Sequence, residues 1–183
     1  MTTYDRMQEF RKWSPFSLMQ TNALVDRLMV MGFFTAPAST KYHGAYEGGL
    51  FDHSLNVFKN LMKLSSTLGL SWTNGLHNSV FIVGMLHDLC KCDSYEKQPD
   101  GTYKYRTDTL LTGHGEKSVM LLHGLDLPVT QEEIACIRYH MGAFTEKEAW
   151  SSYTNAIHKY PNVLWTHTAD MMAAHIDEIE KEK

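Results

Sequence analysis

The sequence predicts an all-α fold with one short β-hairpin, and three observations predict it. Apolar residues recur at helical spacing in segment after segment, and most of these segments open on a capping residue, a proline or a glycine. Only one stretch, Asp93 to Arg106, changes character, with tyrosines and threonine around a Pro99-Asp100-Gly101 turn. At 183 residues and 43% hydrophobic content the chain has the size of one domain with a substantial core. We read a single unit over 1–183, without repeats, low-complexity tracts or linkers.

Met1 to Lys12 is mixed and charged, with no apolar leader, and no stretch approaches the ~20 apolar residues of a membrane span. A soluble, cytoplasmic chain is the expectation. Ser14-Pro15 reads as a helix start, with Phe16, Leu18, Met19, Leu24, Val25, Leu28 and Met29 following until Gly32 stops the pattern. The connection from 33 to 51 is too long for a simple link and is expected to be functional. Gly48-Gly49 then lets the backbone turn tightly into a helix with His53 in its first turn and Leu55, Phe58, Leu61, Met62 and Leu64 inward.

A central helix starts near Thr73-Asn74 and runs to about Leu89. Val80 to Leu86 is apolar on all sides, so this helix belongs in the core, and it ends in His87-Asp88. Burying an acid and a base there is costly unless each is paired, hydrogen-bonded or metal-bound. The hairpin follows. Gly113-His114 opens the next helix, and Thr130 to Glu133 is a capping box that starts one running to His140, with Gly142 ending it. Thr145 to Glu148 repeats the capping pattern before a polar stretch expected to be part helical. Pro161 starts the last helix, which includes Asp170, and Asp177 to Lys183 is a charged tail expected to fray.

A net charge of −4 and a pI near 6.2 give no general grip on a polyanion, so long duplex nucleic acid is not an expected partner. The three cysteines are an odd count without framework spacing, which suggests a reducing compartment. Cys90 and Cys92 lack the second pair that a structural zinc site needs, and read as two thiols beside the site.

The partners for the buried doublet are His53, His114, His140 and Asp170. Neutral imidazole and ionised carboxylate suit Mn, Fe, Co, Ni or Zn. His53, His87, Asp88 and Asp170 complete one mixed nitrogen and oxygen site, and the second oxygen of Asp88, with His114 and His140, offers a second at the ~3.5–4 Å separation of two-metal hydrolases. His43, His77, His123, His158, His167 and His175 have no evident role.

These residues also carry a family resemblance. His53, His87-Asp88 and Asp170, in that order, resemble the H…HD…D pattern of the HD-domain metal-dependent phosphohydrolases. The likeness is greatest to the HD domain of bacterial 3′→5′ exoribonuclease-like hydrolases, through Gly48-Gly49-Leu50-Phe51-Asp52-His53, His87-Asp88-Leu89-Cys90-Lys91, Gly113-His114 and His140. The motif-bearing core spans about 42–177. Cys90 stands where members often have glycine, and Met141 where many have a second histidine. No counterpart of the nucleic-acid-binding domain of those exoribonucleases is expected within residues 1–183.

The resemblance implies a helical HD bundle and a divalent transition metal, with a weak or substrate-dependent second ion. It implies hydrolysis of a phosphate ester or anhydride, most readily of a nucleotide, a short oligonucleotide or another small phosphorylated molecule. Asp88 and Lys91 are the candidate catalytic residues, and Tyr46, Lys104 and Arg106 weaker candidates for the substrate rim. A di-iron oxygenase and a non-catalytic nucleotide-binding domain are the rival readings.

Overall fold

Eight α-helices and one two-stranded hairpin make up the computed structural model, which describes residues 1–178; residues 179–183 of the charged tail lie outside the described residues. The helices are α1 (Thr3–Trp13), α2 (Leu18–Met31), α3 (Gly49–Leu68), α4 (Leu76–Leu86), α5 (Gly115–His123), α6 (Gln131–Arg138), α7 (Trp150–Lys159) and α8 (Asn162–Met172). Strands β1 (Tyr95–Lys97) and β2 (Tyr103–Tyr105) pair antiparallel, with Tyr95 opposite Tyr105. The fold class is the one the sequence predicts.

The apolar run forms α4, whose residues from Ser79 to Leu86 are all buried. It crosses α3 at Gly84, where a Cβ would lie 2.5 Å from the Phe58 Cα, so only glycine allows that approach. Helix α6 packs on α4, and α8 packs on α3 and α6. Phe10, Phe33, Phe34, Phe51, Phe58 and Phe81 pack edge to face with centroids 5.1–6.3 Å apart, except for the tilted Phe34–Phe51 pair. Such pairs contribute about 0.5–1.5 kcal/mol each beyond their buried area. That cluster fixes the start of α3, and with it His53.

Connection 33–48 is irregular but tied down. Gly48 N–H donates to the Thr35 carbonyl at 2.8 Å, Leu50 N–H to Ala36 at 3.0 Å and Ala38 N–H to Gly44 at 2.9 Å. Gly49 sits so close to Gly44 that a Cβ would stand 2.0 Å from its carbonyl oxygen, the physical reason for the paired glycines.

Several boundaries differ from the sequence expectation. Helix α1 was not anticipated; it is set by a capping box between Thr2 and Asp5 and anchored by buried Phe10 and Arg6. Helix α2 is capped by Ser17 with Gln20, not by Ser14, because Pro15 and Phe16 turn the chain first. Leu18 and Met19, expected inward, are 75% and 80% exposed as a result. The Thr130 and Glu133 box forms as expected, but α6 stops at Arg138 and leaves His140 in the following turn. No box forms at Thr145: Lys147–Ala149 is a 3-10 turn, and α7 begins at Trp150. Beyond α8, Ala173–Asp177 continues as a π-helical turn.

Candidate metal centre

Asp88 is the centre of the site because the end of α4 leaves it nowhere to reach water. Helix α4 stops at Leu86, His87 caps it, and Asp88 precedes the 3-10 turn Leu89–Cys92. The Asp88 side chain is 2% exposed. Both of its oxygens are approached. Oδ1 lies 2.9 Å from His114 Nε2 and 3.4 Å from His140 Nε2, while Oδ2 lies 2.6 Å from Lys91 Nζ, 3.4 Å from His87 Nε2 and 3.7 Å from His53 Nε2.

Each histidine arrives from a different element. His53 comes from the second turn of α3, His114 from the residue before α5, and His140 from the turn after α6. Asp170 comes from α8 and stands 3.1 Å from His53 Nε2. The rings are held from behind: His87 Nδ1 is 3.0 Å from the Gly84 carbonyl and His140 Nδ1 is 2.7 Å from the Ile137 carbonyl. A carbonyl only accepts, so each Nδ1 carries its proton and each Nε2 presents a lone pair. Behind His53 the partner is a carboxylate, Glu178 Oε1, at 2.9 Å.

The Nε2 atoms of His53, His87 and His140 are buried and make no aligned hydrogen bond among the described residues. The bare Nε2 lone pairs of His87 and His140 beside one carboxylate are costly as they stand, and a cation would satisfy them together with His53 Nε2. Ligand atoms of His53, His87 and Asp170 lie within 4.8 Å of one another, as do those of His87, Asp88 and His140, and those of Asp88, Cys90 and His114. The donor set therefore fits a divalent transition ion.

Electrostatics follow from burial and pairing. Burial would raise the Asp88 carboxyl, but Lys91, His87 and His114 hold it well below the usual carboxylate range, so it is ionised. Burial would lower Lys91, and Asp88 instead holds it protonated. His87 is pushed down by burial and stays neutral, the form a ligand requires. For His53, burial is outweighed by Asp170 and Glu178, which raise the ring to about 9; an ion at Nε2 competes with that proton.

A cavity of about 540 Å³ opens over Asp88, Lys91, His114 and Asp170. The structure thus gathers His53, His87, Asp88, Lys91, His114, His140 and Asp170, all named from sequence. It does not bring Tyr46, Lys104 or Arg106 to the cavity. The Tyr46 hydroxyl donates to Asp52, itself paired with Arg6 at the start of α3. Alternation along β2 turns Tyr105 to the cavity and Lys104 and Arg106 the other way, and Arg106 forks onto Asp108.

Two further residues were missed, and a third, Cys90, was read only as a thiol beside the site. Glu178 gave no signal, being an acid in a charged tail 125 residues from His53. His43 was among the histidines without evident role, yet it lines the cavity with its ring 5.0 Å from that of His53. Its place in the long connection was the available clue. Cys90 is part of the cluster, its Sγ 3.3 Å from His114 Nδ1, and burial followed by the Asp88 charge pushes its thiol up to about 12. Among the described residues no helix is long and apolar enough to cross a membrane.

Comparison with known proteins gives one informative match. The chain is 32% identical over 108 residues to the dihydroneopterin 2′,3′-cyclic phosphate phosphodiesterase of Methanocaldococcus jannaschii. The aligned part is 58% of this chain and 42% of that protein's length. No family model and no solved structure matches. The similarity is to a phosphodiesterase of a small cyclic phosphate, and it gives no support to the narrower likeness to exoribonucleases.

Proposed function

We propose that this chain is a metal-dependent phosphohydrolase that opens a phosphodiester or other phosphate ester in a small molecule of nucleotide type. The observation that carries this reading is the convergence of three orphan histidine nitrogens on the doubly approached Asp88, at the floor of a cavity wide enough for a small organic phosphate. Similarity to a cyclic phosphate phosphodiesterase supports the same chemistry.

His53, His87, Asp88 and Asp170 would hold one ion, and Asp88, His114 and His140 would offer the place of a weaker second. When bound, the metal supplies Lewis acidity toward a phosphoryl oxygen and lowers the pKa of a coordinated water. Asp88, ionised, would hold the metal and orient the attacking water toward phosphorus. Lys91, 12% exposed and facing the cavity, offsets the charge that builds on the phosphoryl oxygens as the water oxygen bonds and the ester oxygen leaves.

The test is turnover of a panel of 2′,3′-cyclic and linear phosphodiesters by protein loaded in turn with Mn, Fe, Co, Ni and Zn. Metal-dependent release of a phosphomonoester supports the proposal. Binding of these esters without turnover under any metal would leave a nucleotide-binding domain instead.

A further inference from the structure

Resting on that reading, we infer that the outer half of the cavity is a stacking subsite for a planar heteroaromatic ring, formed by Tyr105 of β2 and Phe144, so that the substrate is a phosphoester carrying such a ring. The cavity has two chemically distinct ends. Its floor is the charged cluster at Asp88 and Lys91, and its margin includes Tyr42, Tyr95, Tyr105 and Phe144.

These aromatics are not surplus core. Phe10, Phe33, Phe34, Phe51, Phe58 and Phe81 are at most 1% exposed, whereas Phe144 is 71% exposed and Tyr105 is 69% exposed. Their positions are nonetheless fixed. The Tyr105 ring leans on that of Tyr95 across the hairpin, with centroids 5.1 Å apart, and the Tyr95 hydroxyl reaches the Ala38 carbonyl in connection 33–48 at 3.5 Å. Phe144 ends the 3-10 turn Gly142–Phe144, which is seated against α8: a Cβ on Gly142 would lie 2.7 Å from the His167 ring.

Two exposed aromatic rings, one of them braced by Tyr95, line the same cavity as Asp88 and Lys91, and this lining matches a ligand with a flat π-face at one end and a phosphate at the other. A lone inorganic phosphate or an alkyl phosphate would leave those faces wet. Stacking of a base on an aromatic side chain strengthens binding by about 5- to 150-fold per base, without selecting its hydrogen-bonding edge. The subsite therefore selects for a ring rather than for one base.

The experiment compares adenosine 5′-phosphate with ribose 5-phosphate, which share the phosphate and differ in the ring, by calorimetric titration of the metal-loaded chain. The expected result is at least roughly 10-fold tighter binding of the nucleotide. The double variant Tyr105→Leu, Phe144→Leu should lose that difference while binding ribose 5-phosphate as before, and Tyr105→Phe should keep it. Both positions are exposed, so the fold should be retained, which circular dichroism checks. Equal affinities in the unaltered chain, or a difference that survives in the double variant, would overturn the inference. Glycerol 1,2-cyclic phosphate, which has no aromatic ring, separates the two readings: its hydrolysis with equal affinities removes the subsite and leaves the phosphohydrolase, while an aromatic-ring preference without hydrolysis of any ester leaves the subsite and removes the phosphohydrolase.

Discussion

Lys91 Nζ lies 2.6 Å from Asp88 Oδ2, one 3-10 turn along the chain, with both side chains largely out of water. The pair joins a carboxylate that faces the histidines to an ammonium that faces the cavity, so the two can be separated by mutation.

Lys91→Ala should leave metal binding intact and lower turnover. Removing a charge aimed at a developing oxyanion costs on the order of 100-fold in kcat. Metal content by mass spectrometry together with kcat checks this. Loss of the metal along with activity would reassign Lys91 to holding Asp88 in place.

Glu178→Gln should weaken metal binding about 10- to 100-fold, as partners behind a ligating histidine typically do. Glu178 holds His53 Nδ1 at 2.9 Å, and the amide would accept from that nitrogen without lending charge. Competition with a chelator reads the change directly. An unchanged affinity would show that His53 is positioned by α3 alone.

Gly84→Ala should destabilise the whole chain, since the added Cβ meets the backbone of α3 at Phe58. Overpacking of this kind costs about 1–3 kcal/mol, or roughly 2–12 °C in Tm for a chain of this size. A thermal melt of the metal-free protein checks it, and an unaltered Tm would mean the two helices can part at no cost.

Much of the site was legible in the sequence because its ligands sit where local rules already place them. His87-Asp88 ends a continuous apolar run, His53 follows two glycines that mark a tight turn into a helix, and His114 stands at a helix start. The hairpin and the Thr130 box are likewise local signals. What was not legible depends on tertiary neighbours. Helix α1 shows little apolar content because it docks through few residues, and Glu178 reaches His53 only after α8 has packed on α3. The side of β2 that faces the cavity is settled by register, which composition does not fix: Tyr105 lines the cavity, and Lys104 and Arg106 do not. His140 was placed on a helix, yet it serves from the turn beyond it, where its Nδ1 can reach the Ile137 carbonyl.

Metal binding should stabilise the fold by linkage, because the ligands come from separate elements that only the folded chain gathers. Chelation should lower Tm, and readdition of a divalent transition metal should restore it, by about 2.7 kcal/mol of stability at a free concentration 100 times the dissociation constant. A melting curve indifferent to every metal tried would mean that the orphan nitrogens are satisfied otherwise.

The most direct measurement is hydrolysis of a 2′,3′-cyclic phosphodiester by the metal-loaded chain beside its Asp88→Asn variant, which keeps the shape of the side chain and removes its charge. Metal-dependent turnover that falls on the order of 100-fold or more in the variant, while its far-ultraviolet circular dichroism is unchanged, is the predicted result. Turnover at the same rate in both proteins would contradict the account.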